Sequence, residues 1–520
     1  MNPRTAAPAL IGGLLAAGPA AAAPPAPPPN IIFIMADDHA EQAIGAYGSR
    51  LVETPNIDRI AREGIRFDNA FVTNSICAPS RAVLLTGKYS HRNGLRDNRD
   101  EFDGGQVTFP KLLQKAGYQT AIVGKWHLKT APTGFDHWKV LDDQGEYYRP
   151  LFIDGGKEVE RPGYATDLIT DLALDFLEKR DRERPFALLY HHKAPHRNWM
   201  PNVKHLGLYA GRDLPLPETF WDDYAGRPAA AGQDMRIADM YLSQDLKLQE
   251  EVYGEETGTG GLKGYPAGEA WKKSYARMTP EERAAWDAHY GPVNEAFRRQ
   301  RPTGRALAEW KYQRYLKDYL RCVASIDENV GRVLDYLDRA GLAENTIVVY
   351  TSDQGFYLGE HGWYDKRFMY EESLSTPLVV RYPRTVPAGQ VSKAMVLNLD
   401  FAPSLLDYAG APVPKEMQGR SLRPLLEGRP PADWRRAFYY RYYEFPHGWH
   451  DVRPHYGVRT ERHKLIHFTG DMDVWELYDL EADPHELVNR YAAPAYQSVR
   501  KELHRTLESL RRELGDDDDS

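Results

Sequence analysis

The chain has 520 residues, 42% hydrophobic and 27% charged, with a formal net charge of -8. That composition excludes a disordered or fibrous chain, and the acidic balance excludes the basic footprint of a nucleic-acid binder. Two cysteines in this length exclude a disulfide scaffold, and the length fits two or more domains, or one large domain with a smaller appendage.

The N-terminus reads as an export signal over residues 1–23. Arg4 precedes the apolar run 9–17, and alanines 20–23 supply a small-residue cleavage site. The run is too short to span a bilayer, so stable membrane insertion is not expected. The expected protein is exported, either periplasmic or secreted. The Pro-rich stretch 24–29 then acts as a tether.

The fold proper begins with the apolar run 31–35. Similar runs recur at 121–123, 186–190, 347–350 and 377–380. They are continuous rather than alternating, which predicts strands buried on both faces of a mostly parallel sheet. Helical patterns lie between them at 54–64 and 167–179. The first has Thr54 at the N-cap position and Pro55 at the first helical position. This alternation predicts a three-layer α/β/α domain over 30–425. Residues 206–305 lose the periodicity and read as a long insertion rich in Gly, Pro, Tyr and charge. A helix is expected at 307–340, with Cys322 as an ordinary buried thiol. A further strand–helix unit is expected at 393–410. Short runs at 437–443, 456–460, 464–468 and 476–478, then a charged helix at 495–514, predict an α+β subdomain over 426–514 with an antiparallel sheet. The acidic tail 515–520 is expected to be solvated.

In a parallel sheet, ligands bind beyond the carboxyl ends of the strands. Asp37 and Asp38 follow the first run, and Lys125 and His127 the second. His191, His192 and His196 follow the third, and Asp353 and Gln354 the fourth. Asp37, Asp38, Asp353 and Gln354 are hard oxygen donors of the kind a divalent cation prefers. Alone, the Asp37–Asp38 pair reads as a turn or helix cap. With Asp353 and Gln354 it reads as a metal site. The segment Cys77-Ala78-Pro79-Ser80-Arg81 places Cys77 at a helix start, where free amides and the helix dipole attract an anion. Arg81 lies four residues on, on the same face.

This segment, with Thr86-Gly87 after it, resembles the signature of the formylglycine-dependent sulfatases, and the other motifs follow in that family's order over about 30–491. The resemblance implies an alkaline-phosphatase-like α/β/α sandwich and a sulfuric ester hydrolase. It implies oxidation of Cys77 to formylglycine by a formylglycine-generating enzyme. It also implies a calcium ion held by Asp37, Asp38, Asp353, Gln354 and modified Cys77. Gln354 stands where many relatives carry Asn or His, yet still offers a carbonyl. The same likeness gives Arg81 the hydrated aldehyde to steady, and Lys125 and Lys366 the sulfate to neutralise. His127 would bond the formylglycine hydroxyl and help eject sulfate, and His196 would protonate the leaving alcohol.

Details beyond the core motifs are similar to carbohydrate sulfatases that remove 6-O-sulfate from N-acetylglucosamine in glycosaminoglycan or mucin. They are the segments 193–201, 352–355, 370–373 and 450–457. Arg453 and His455 then become candidate substrate contacts, with an interface role as the alternative. Trp126, Trp199, Trp363 and Trp449 read equally as sugar-stacking platforms or core. The alternatives are a sulfatase of another specificity (2-O- or N-sulfated glycosaminoglycan, algal polysaccharide, aryl sulfate), a phosphonate or phosphodiester hydrolase, and an inactive calcium lectin.

Overall fold

The computed structural model describes Met1 and residues 27–517. The expected export signal apart from Met1, and residues 24–26 of the tether, lie outside the described residues. Among the described residues no helix is long and apolar enough to cross a membrane.

A ten-stranded sheet organises the chain. Its centre holds five parallel strands in the spatial order Thr346–Ser352, Asn30–Ala36, Phe186–His191, Gln119–Gly124 and His137–Leu141. Ile32 pairs with Leu188 on one side and Val348 on the other. Alternate side chains of Asn30–Ala36 point to opposite faces, as strand geometry requires. Ile32 and Ile34 join a core with helices Pro55–Arg62, Ala165–Lys179 and Gly304–Arg339. Ile31, Phe33 and Met35 join a second core with helices Cys77–Thr86, Phe109–Lys115 and Phe401–Tyr408. Both faces are therefore covered, which explains the unbroken hydrophobic runs and gives the expected three layers.

Several expectations need correction. The run at 377–380 forms Leu378–Arg381, which is antiparallel to Thr346–Ser352. Unbroken hydrophobicity reports burial on both faces, and all four residues are buried, but it does not encode strand direction. The unit at 393–410 is present as expected, strand Val396–Leu397 then helix Phe401–Tyr408, but among the described residues its strand pairs with Ala70–Phe71, outside the large sheet. Thr54 occupies the N-cap but makes no side-chain cap. Its hydroxyl donates to Asp58 Oδ1 at 2.9 Å. The first-turn amides of Asn56 and Ile57 donate instead to Asp327 Oδ1 on a distant helix, at 3.0 and 2.9 Å. The insertion is not devoid of regular structure. It contains helices Ala267–Ala276 and Pro280–Gln300, the second opened by a Thr279–Glu282 capping box. Its apolar stripe is sparse, with only Trp286, Tyr290 and Phe297 buried, so hydrophobic periodicity did not reveal it.

Strands Ala437–Tyr442, His455–Thr460, His463–Phe468 and Val474–Asp479 form the expected antiparallel sheet in consecutive order. Helix Gln497–Leu514 lays Leu503 and Leu507 on it. This core also takes in Ile76 and Val83, so the appendage packs against the segment that carries Cys77.

In the tail expected to be solvated, Gly515 and Asp517 are exposed and 518–520 lie outside the described residues, but Asp516 is 2% exposed. Its carboxylate accepts from Tyr439 Oη at 2.5 Å and Arg441 Nη1 at 2.6 Å. The charge run hid this because a sequence pattern cannot show a distant partner. Asp516→Ala is expected to lower unfolding stability by about 1–3 kcal/mol. Denaturant unfolding checks this, and a midpoint equal to the wild type contradicts it.

Candidate active site

Parallel central strands bring their carboxyl ends to one edge. Backbone bonds tie those ends together. Asp37 N–H donates to Ala194 O at 3.1 Å, Lys125 N–H to His191 O at 2.9 Å and Asp353 N–H to Ala36 O at 3.2 Å. Gly124, at φ +96°, permits this approach, since a Cβ there would lie 1.8 Å from His191 O.

The helix Cys77–Thr86 starts at the same edge. Cys77 is buried, and its Sγ lies 3.6 Å from Asp37 Oδ1 and 4.0 Å from Gln354 Nε2. Arg81, also buried, reaches back across the site. Its Nη2 donates to Asp353 Oδ2 at 2.9 Å, its Nη1 to Lys125 O at 3.0 Å, and Nη2 lies 3.6 Å from Asp37 Oδ2. Lys125 Nζ donates to Asp37 Oδ2, and Lys366 Nζ to both oxygens of Asp38 at 2.8 Å. His196 Nε2 lies 3.8 Å from Asp38 Oδ2, while its Nδ1 bonds Arg197 O at 2.7 Å.

Oxygens of Asp37, Asp38 and Asp353 all lie within 4.8 Å of one another, and a second such group joins Asp37, Cys77 and His196. Burial pushes Asp38 up to about 6, with Asp37 and Asp365 adding to it against Lys366. Burial, reinforced by Asp37, likewise pushes Asp353 up to about 7. At Asp37 burial also pushes upward, but Lys125, His196, Arg81 and Lys366 outweigh it and hold the carboxyl well below the usual range. Burial, with Lys125 next, holds both His127 and His196 well below the ordinary imidazole value. Burial lifts the Cys77 thiol above its ordinary value, which disfavours the thiolate form. Gln354 Nε2 donates to Asp38 Oδ1 and to Asp353 Oδ1, the latter at 2.8 Å, and its buried Oε1 has no partner among the described residues. Three buried carboxylates whose oxygens lie within 4.8 Å of one another, beside the amide of Gln354, fit a hard cation.

The structure brings together Asp37, Asp38, Cys77, Arg81, Lys125, His196, Asp353, Gln354 and Lys366. His127 joins them through Gln144, whose Nε2 lies 2.9 Å from His127 Nε2 and whose Oε1 accepts from Lys125 Nζ at 2.5 Å. Gln144 went unrecognised in the sequence. It sits in the turn after His137–Leu141, a strand whose exposed start weakens its hydrophobic signal. Asp365 and Arg367, flanking Lys366, were also missed. Asp365 Oδ2 bonds His450 Nε2 at 2.9 Å, and its Oδ1 accepts from Arg367.

His455 is a correction. It is 1% exposed, its Nε2 accepts from Met369 N at 3.1 Å and its Nδ1 bonds Arg453 O at 2.8 Å. Neither ring nitrogen is left for a sugar hydroxyl, so its role is interior. Arg453 is committed to Asp471, at 3.0 Å through both Nε and Nη2, and to Asp451 at 2.8 Å. Trp126, Trp199 and Trp363 are core residues. Trp449 is partly exposed and packs on Tyr265 and under the Arg197 guanidinium, 4.6 Å away. Both cysteines are free and buried.

The sulfatase family model matches residues 29–411. The chain belongs to the sulfatase family. As such it is a sulfuric ester hydrolase, and enzymes of this family work with a formylglycine and a metal ion. A second model, described as N-sulphoglucosamine sulphohydrolase, C-terminal, matches residues 359–513 of this sulfatase. The sulfatase is 50% identical over 526 residues to N-acetylglucosamine-6-O-sulfatase of Bacteroides thetaiotaomicron, covering 99% of this chain and 92% of that protein. It superposes with a TM-score of 0.90 and 50% identity on a solved protein in complex with its substrate, D-glucosamine-2-N,6-O-disulfate. That match covers 95% of this chain and 99% of the other. Human N-acetylglucosamine-6-sulfatase is 27% identical over 462 residues, covering 83% of this chain and 70% of that protein.

Proposed function

We propose that this sulfatase removes the 6-O-sulfate of N-acetylglucosamine in glycosaminoglycan or mucin glycans, with calcium as its metal and Cys77 as the source of its formylglycine. The observation that carries this reading is the 50% identity, over nearly the whole chain, to an enzyme named for that activity. Convergence of the carboxylates, lysines and histidines around Cys77 supports the residue assignments.

Asp37, Asp38, Asp353, Gln354 and residue 77 would hold calcium, whose charge would stabilise the sulfate oxygens as they gain electron density. Converted residue 77 would supply a hydrated aldehyde, with one hydroxyl as nucleophile and a second that lets sulfate depart without attack of water on sulfur. Arg81, itself fixed by Asp353 and the Lys125 carbonyl, steadies that group. Lys125 and Lys366 neutralise the sulfate from two sides. His196 would protonate the leaving sugar oxygen from Nε2 as the imidazolium, a form that the charge of the bound sulfate has to favour, because burial and Lys125 keep the ring neutral without it. Its Nδ1–H is engaged by Arg197 O, which fixes the ring's orientation. His127 bonds the nucleophile's hydroxyl and assists sulfate ejection. Conversion of Cys77 calls for a formylglycine-generating enzyme during maturation. Export through the N-terminal signal would put the mature enzyme in the periplasm or outside the cell.

The test is release of sulfate from N-acetylglucosamine 6-sulfate and from glucosamine 2-N-sulfate, and of phosphate from N-acetylglucosamine 6-phosphate. Release from the first alone is the expected result. The C-terminal match to N-sulphoglucosamine sulphohydrolase favours N-sulfate as the second reading, and cleavage confined to the 2-N-sulfate would establish it. Faster hydrolysis of the phosphate would point to a phosphohydrolase. Exhaustive chelation is expected to lower turnover at least about tenfold, with calcium restoring it. Undiminished turnover in metal-stripped protein, verified by elemental analysis, contradicts the calcium role.

A further inference from the structure

Gln144 occupies a half-buried turn at the end of strand His137–Leu141, beside the strand end that carries Lys125 and His127. The turn is closed by Gly145 N–H donating to Asp142 O at 2.8 Å. One amide thus faces two groups assigned to the reaction. Its Oε1 lies 2.5 Å from Lys125 Nζ and its Nε2 lies 2.9 Å from His127 Nε2.

The orientation of that amide is not free. An ammonium has hydrogens to give and no lone pair to accept with, so only the amide oxygen can face Lys125. The amide nitrogen must then face His127, and it can only donate. His127 Nε2 must therefore present its lone pair, which puts the ring's proton on Nδ1. His127 Nδ1 is buried and has no partner among the described residues. It is a donor held for something the protein itself does not supply. Burial and the neighbouring Lys125 and Arg81 keep the ring neutral, in agreement with this arrangement. The nearest carboxylate, Asp143 Oδ1, lies 3.5 Å from His127 Nε2, beyond the 2.9 Å amide contact.

We propose that Gln144 is a positioning residue that transmits the charge of Lys125 to the tautomer of His127, so that His127 offers Nδ1–H to the oxygen atoms reacting at residue 77. This rests on the role given to His127 above. The same loop holds the other histidine's backbone, since Tyr147 Oη donates to His196 O at 2.7 Å.

Gln144→Glu separates polarity from packing. The side chain keeps its shape and its acceptor for Lys125, but it turns from donor to acceptor toward His127. The full-length matured enzyme is compared with Gln144→Glu, His127→Ala and the double variant, using N-acetylglucosamine 6-sulfate. Calcium content and melting temperature are recorded for each. The expected result is a fall in kcat of roughly tenfold to a hundredfold for Gln144→Glu, as for other outer partners that fix a functional histidine. KM and melting temperature should stay close to wild type. In the His127→Ala background the same substitution should have no further effect, the non-additivity that direct coupling produces. Gln144→Glu within twofold of wild type overturns the proposal. So does an equal loss with and without His127, or a His127→Ala enzyme of full activity. A wild-type enzyme inactive on every sulfate ester would instead bring down the reading of the site itself.

Discussion

Cys77→Ala is expected to reduce turnover by at least about 10⁴-fold, because loss of a covalent nucleophile removes a whole catalytic unit rather than one contact. The fold should survive. Cys77 is the first residue of its helix, and the contacts of its Sγ with Asp37 and Gln354 are long, at 3.6 and 4.0 Å. The helix is held elsewhere. Ser80 Oγ donates to Asp353 O, Arg81 to Asp353 Oδ2, and Ala82, Leu84 and Leu85 sit in the core. Circular dichroism and substrate binding by calorimetry separate the two effects. An unchanged spectrum with retained binding and no turnover is the expected outcome. Residual turnover within a hundredfold of wild type contradicts a covalent role for residue 77.

His196→Ala is expected to show the second largest effect, and a selective one. A sugar hydroxyl is a poor leaving group, so removing its proton donor should cost about 10²- to 10⁴-fold in kcat. An aryl sulfate with an acidic phenol needs little protonation, and its turnover should fall far less. The geometry supports this division. His196 Nε2 lies 3.8 Å from Asp38, at the rim of the carboxylate cluster, and its ring remains partly exposed, with 14% of the side chain accessible. A uniform loss on both substrates would assign His196 to binding rather than to proton transfer.

Much of the site was legible in the sequence because several of its groups lie just after strands with a strong apolar signal, and Cys77 and Arg81 share a helix start. Asp37, Lys125, His196 and Asp353 come from four neighbouring parallel strands, and parallel strands put their carboxyl ends together whatever the loops do. The parts that were not legible depend on partners far apart in the chain. Asp516 was hidden in a charge run because its partners, Tyr439 and Arg441, lie on another element. His455 looked like a loop histidine, but it starts the strand His455–Thr460 and spends both nitrogens on backbone. Gln144 follows a strand whose first three residues are not buried, so no apolar run marked its turn as part of the catalytic edge. The direction of Leu378–Arg381 was hidden because a buried strand carries the same residues whichever way it runs.

The proposed chemistry turns on what residue 77 has become in the working enzyme. Burial raises its thiol above the ordinary value, which disfavours the thiolate and supports the proposal that the working nucleophile is the converted side chain. Mass spectrometry of the peptide carrying residue 77, from protein of measured specific activity, tests this most directly. The predicted result is the mass of an aldehyde in place of the thiol, in a fraction that tracks activity across preparations. Fully active enzyme carrying only the unmodified cysteine would contradict it.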